Sequence, residues 1–77
     1  MVVLTGYDAK KKLDLLLYDE EARRHPENRE VVGVYEDGEC KKWVAFDNVN
    51  GCCFVENFKS LEAALAYIFQ YAPFKVY

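Results

Sequence analysis

The stretch EVVGVYEDGECKKWVAFDNVNGCCFVENF, residues 30–58, decides the fold of this chain. Val31, Val32, Val34 and Tyr35 form one β-branched and aromatic run, Trp43, Val44 and Phe46 a second, and Phe54, Val55 and Phe58 a third. Residues of this kind favour the pleated, half-buried surface of a strand. Asp37-Gly38 and Asn50-Gly51 separate the runs, and both pairs tolerate the positive φ angles of tight hairpin turns. The segment therefore predicts a three-stranded antiparallel meander. In the register that Asn50-Gly51 sets, one face of the sheet carries Val44, Phe46, Cys53 and Val55. The other carries Trp43, Ala45, Cys52 and Phe54 with Asp47 and Glu56.

Helical sequence flanks the meander on either side. Asp8 is a favourable N-cap, and residues 9–24 contain strong helix formers with no glycine or proline among them. Leu13, Leu16 and Leu17 fall on one arc of that helix, Arg23 and Arg24 complement its C-terminal dipole, and Pro26 forbids its continuation. After the meander, Ser60 caps a second helix over residues 61–71, with Glu62 in its first turn and Leu61, Ala64, Leu65 and Ile68 spaced to face a sheet. Pro73 ends it. Residues 1–5 are short and β-prone, a strand or a lead-in interrupted by Gly6, and residues 74–77 either add an edge strand or pack their two aromatics against the body. The expected fold class is α+β, in the order (β)-α-β-β-β-α-(β), with both helices on one face of the sheet in two layers. Its hairpin-rich order argues against a parallel sheet. The competing arrangement has the helices straddling the sheet.

A chain of 77 residues has room for one domain, and an apolar fraction of 52% with 16% aromatics suffices for a core. The formal charge is −3. Residues 1–25 balance to zero, so the excess lies beyond Pro26, where Glu27, Glu30, Glu36, Asp37, Glu39, Asp47, Glu56 and Glu62 oppose Arg29, Lys41, Lys42, Lys59 and Lys75. Positive charge falls only in short clusters such as Lys10-Lys11-Lys12, which argues against direct nucleic-acid binding. No apolar run approaches the length needed to span a bilayer, and three cysteines, two of them adjacent, do not make a disulfide framework. A cytoplasmic, reducing environment is the expectation, with no membrane association.

Catalytic chemistry finds few candidates. Ser60 and Thr5 are the only serine and threonine, and His25 is the only histidine, placed at a helix end beside Pro26. Cys40, Cys52, Cys53 and His25 contain no Cys-x-x-Cys pair, and a hairpin at Asn50-Gly51 separates Cys40 from Cys52 by the length of a strand. Asp47 and Glu56 share a face but lack a pocket-forming loop. No catalytic, cofactor or metal site is expected. What remains is apolar surface on both faces of the sheet, more than two short helices on one face can cover. Tyr35, Trp43, Asp47, Phe54 and Glu56 are the candidate partner-binding residues.

The layout of Val34-Tyr35-Glu36-Asp37-Gly38, then Asn48-Val49-Asn50-Gly51, then Phe58-Lys59-Ser60-Leu61-Glu62 resembles the meander-then-helix arrangement of some small phage-encoded anti-CRISPR proteins. That resemblance implies a stoichiometric inhibitor of a bacterial immune complex, acting by occlusion without a cofactor. The expected function is a non-enzymatic protein-binding module, of the kind that a phage or mobile element carries as an accessory protein or inhibitor; a structural homodimer is the alternative.

Overall fold

The computed structural model describes residues 2–39 and 41–70. Its elements run β1 (Val2–Thr5), α1 (Gly6–Tyr18), α2 (Glu20–Arg24), a 3₁₀ turn (Pro26–Asn28), β2 (Val31–Asp37), β3 (Lys42–Asp47), a second 3₁₀ turn (Val49–Gly51), β4 (Phe54–Phe58) and α3 (Leu61–Gln70). The α+β class is the one the sequence predicts, and the order of strands and helices is close to the predicted one. The candidate edge strand at residues 74–77 and Cys40 lie outside the described residues.

The sheet has the order β1-β2-β3-β4. β2, β3 and β4 form the expected antiparallel meander, with Gly33 opposite Phe46 and Phe46 opposite Val55. β1 pairs in parallel with β2, so the sheet is mixed. This departs from the expected purely antiparallel sheet: the segment from α1 to the first 3₁₀ turn provides the dozen or more residues that a parallel crossover needs. Gly6, at φ +59°, makes the abrupt change from strand to helix.

The N-terminal helical segment is two helices rather than one. Asp19 leaves the helical conformation, and its side chain accepts hydrogen bonds from the backbone N–H groups of Glu21 and Ala22. An aspartate that caps two N–H groups competes well with an uninterrupted helix. Asp8 lies in the first turn of α1, where its charge favours the dipole, and Thr5 occupies the cap position.

Alternation along the strands makes two apolar faces. Val31, Val44 and Phe46 cluster with Ala9, Leu13 and Leu16 of α1. Val32, Val34 and Ala45 cluster with Ala64 and Ile68 of α3. The helices therefore straddle the sheet instead of sharing one face, because both faces carry apolar area that needs a cover. Gly33 lets α1 approach, since Phe46 and Ala9 fill the space a side chain would take.

Neither connection in the meander is a two-residue turn. The β3–β4 link spans residues 48–53, with Gly51 at φ +75° and Cys53 at φ +51°. Its geometry follows from Asn48, which is fully buried and donates from Nδ2 to the carbonyls of Arg23 (3.0 Å) and Asn28 (2.7 Å). Asn28 in turn donates to the Ala22 carbonyl and accepts from Lys12 Nζ. These bonds fasten α2 and the first 3₁₀ turn to the link.

Candidate functional site: an apolar groove beside α3

A four-stranded sheet spans about 14 Å between its outer strands, whereas one helix is about 10 Å across. One helix per face therefore leaves part of each face open. On the α3 side, α3 packs against β2, β3 and β4. Register places Val3 and Thr5 of β1 on this same face, beside Val32 and Val34, and Val3 remains exposed.

The result is a groove of about 370 Å³ lined by Thr5, Gly6, Val34, Tyr35, Glu36, Trp43, Leu61 and Leu65. Val34 and Trp43 belong to the sheet, and Leu61 and Leu65 come from the first half of α3. Glu36 and Trp43 are direct cross-strand partners, which sets the carboxylate beside the indole. Trp43 is half-buried, and Leu61 is 38% exposed. Ser60 accepts a hydrogen bond from the Ala63 N–H and so fixes the start of α3, where the groove wall begins.

Next to the groove is a polar cleft of about 320 Å³, lined by Lys10, Tyr35, Glu36, Asp37, Gly38 and Glu39. Tyr35 and Glu36 line both. Burial, reinforced by the negative charges of Asp14 and Asp37, raises the pKa of the Tyr35 phenol.

The structure separates the five candidate partner-binding residues into two groups. Trp43 lies in the groove, and Tyr35 contributes to it although register puts its side chain on the α1 face, opposite Val44. Asp47, on the inner strand β3, and Phe54 and Glu56, on the edge strand β4, lie with Trp43 on the α3 face but outside the lining of the groove. Asp47 is only 2% exposed and accepts a hydrogen bond from the Tyr67 hydroxyl at 3.2 Å. Burial raises its pKa, against the hydrogen bonds from Tyr67 and from the Val49 N–H. It offers no surface to a partner. Phe54 is 59% exposed, and Glu56 beside it is exposed too.

Thr5, Val34, Leu61 and Leu65 escaped sequence reasoning as site residues. The spacing of Leu61 and Leu65 marks them as facing a sheet, but no local signal shows that β1 extends the sheet beyond the reach of α3.

The ionisable groups elsewhere do not assemble. His25 is exposed, and its Nδ1 accepts from the Glu27 N–H at 3.4 Å. Burial raises the Cys53 pKa, Asp47 adds to this and Arg23 opposes it, which disfavours the nucleophilic thiolate. Among the described residues no cluster of three or more His, Cys, Asp or Glu could hold a metal ion, and no helix is long and apolar enough to cross a membrane. Comparisons with protein-family models, with curated proteins and with solved structures found no match.

Proposed function

We propose that this chain is a non-enzymatic protein-binding module of the cytoplasm and that the groove beside α3 is its docking surface. One observation carries the reading: an apolar groove with a tryptophan in its wall, formed because a single helix covers only part of a four-stranded sheet. Tryptophan in a desolvated pocket is the residue type that most often dominates binding energy at protein interfaces. The groove also has the size range of a site for a few side chains.

The test is quantitative affinity capture with wild-type chain and with Leu61→Lys, which changes a partly exposed groove residue. A specific protein retained by wild type and depleted at least tenfold by Leu61→Lys, with the variant's circular dichroism unchanged, supports the proposal. Retention of the same proteins by both chains contradicts it.

The resemblance to small phage-encoded anti-CRISPR proteins supports an inhibitory form of this reading, in which the chain occludes a working surface of its target. Co-expression with a bacterial immune complex, scored by plasmid interference, tests that form. A homodimer is the second reading, supported by the two outer strands, whose outward edges have no partner strand among the described residues. Symmetric pairing of β4, with Phe54 opposite Phe58, would set Glu56 against its own copy, so β1 is the better edge for it. Sedimentation equilibrium separates monomer from dimer.

A further inference from the structure

α3 differs from α1 in what it shows to solvent. The exposed side chains of α1 include Asp8, Lys10, Lys11 and Asp14, as befits a helix with one face in water. α3 carries one charge in its ten residues, Glu62 in the first turn. The sheet buries Ala64 and Ile68 completely, whereas Ala63 and Ala66 are exposed and Phe69 is 48% exposed. A helix that is apolar on every side normally has neighbours on more than one of them. The sheet covers only one.

Glu62, Leu65, Ala66 and Phe69 stand at i, i+3, i+4 and i+7 and form a second stripe, turned away from Ala64 and Ile68. Leu65 also lines the groove, but Ala66 and Phe69 do not. Leu65, Ala66 and Phe69 offer neither charge nor a hydrogen-bonding group, so the counterpart is apolar. Size then selects it. With Ala66 on a two-fold axis, an antiparallel copy of α3 sets Ala66 against its own Ala66, which lets the helices come close, and Leu65 and Phe69 of the two copies interleave beside it. Glu62 falls at opposite ends of this pair, about 12 Å from its copy along the helix axis and beyond the screening length of about 8–10 Å. A parallel pair would place the two carboxylates side by side.

On the homodimer reading above, but through a helix instead of a strand edge, we infer that a second copy of this chain covers α3, antiparallel across Ala66. Phe69 alone, at 48% exposure, offers about 100 Å² per chain if an aromatic side chain presents roughly 200 Å². A ten-residue helix is only about 15 Å long and 10–12 Å across. The contact therefore stays below the roughly 800 Å² per partner of a standard interface, and the dimer is reversible, with Kd between about 1 µM and 1 mM. Covering Leu65 narrows the groove, so the second copy competes with any partner docked there.

The experiment is sedimentation equilibrium of the full chain from about 10 µM to about 1 mM, a range that brackets weak association. It compares wild type, Phe69→Glu, Ala66→Lys, Ala66→Glu and an equimolar mixture of the two Ala66 variants. Ala66 and Phe69 are exposed, so the substitutions leave the fold intact, which circular dichroism checks. The expected result is a wild type that passes from monomer towards dimer, at least tenfold weaker association of each variant alone, and recovery in the mixture, where lysine faces glutamate across the axis.

A wild type that stays monomeric at about 1 mM overturns the inference, and so does capture of a different protein that Phe69→Glu abolishes while the chain alone is monomeric. A dimer unchanged in all three variants places the interface at the strand edges and overturns it too. Variants that weaken association without recovery in the mixture refute the antiparallel contact at Ala66. Groove docking stands or falls separately, on the Leu61→Lys capture, since Leu61 is not part of this stripe.

Discussion

Gly33→Ala tests how the sheet and α1 fit together. An added Cβ would stand 2.4 Å from Phe46 Cε1, 2.6 Å from Phe46 Cζ and 3.1 Å from Ala9 Cβ. Phe46 is fully buried, so its ring has no solvent to move into. Either the ring leaves its rotamer or α1 moves away from β2, and overpacking of this kind costs about 1–3 kcal/mol. The alanine also restricts the unfolded chain, which returns about 0.4–1 kcal/mol where its backbone is unstrained. A net loss of about 1–2 kcal/mol remains, and in a domain of this size each kcal/mol moves Tm by about 4–8 °C. Urea unfolding followed by far-ultraviolet circular dichroism gives the value. Phe46→Leu in the same background should restore part of the loss, giving a coupling energy of about 0.5 kcal/mol or more in a double-mutant cycle. If Gly33→Ala alone leaves the midpoint unchanged or raises it, Phe46 does not lie over Gly33 and the pairing of β2 with β3 has a different register.

Backbone conformation, burial and charge each supply one further test. Gly6→Ala should cost about 1 kcal/mol through the left-handed φ alone, since no atom lies within 4 Å of the new Cβ; Gly6→Asn should cost less, and an alanine variant as stable as wild type would contradict the tight β1–α1 turn. Asp47 has a folded pKa above the ordinary aspartate value of 3.8, so the native state holds the proton more tightly than the unfolded chain. Its contribution to stability is greatest below that value and is lost as pH rises through the folded pKa; Asp47→Asn should flatten this part of the stability–pH profile and hold or raise the urea midpoint at pH 7. A lower midpoint at pH 7 would refute it. Asn48→Ala should lose about 2–3 kcal/mol by leaving the buried Arg23 and Asn28 carbonyls without their donor, with α2 amides exchanging hydrogen fastest of the helical amides; unchanged exchange in α2 would show that Asn48 does not hold that segment.

The meander is legible in the sequence because its information is local. Val31 to Phe58 alternates with the pleat, and the face assignment of Trp43, Ala45, Asp47, Phe54 and Glu56 follows even though the Asn50-Gly51 connection is longer than a two-residue turn. Parity explains this: changing the length of the connection while keeping the pairing parity leaves every side chain on its face. The break at Asp19 is also written locally, as a capping residue inside a helical run, but strong helix formers on both sides mask it.

The division of the helices between two faces is not legible. Leu13 and Leu16 suit either apolar face of the sheet as well as Ala64 and Ile68 do, and the choice depends on the space at Gly33 and on the parallel pairing of β1. The candidate site inherits this. Trp43 is visible as an aromatic on an apolar face, whereas the rest of the groove depends on where β1 ends and how far α3 reaches.

Chemical-shift mapping by ¹H–¹⁵N NMR of the full chain, titrated with the protein that affinity capture retains, tests the docking surface most directly. With the groove as the site, the Trp43 indole N–H and the backbone amides of Thr5, Val34, Glu36, Leu61 and Leu65 move together along one saturating curve. Shifts confined to Phe54, Val55 and Glu56 at the β4 edge, with the Trp43 indole unmoved, would contradict it.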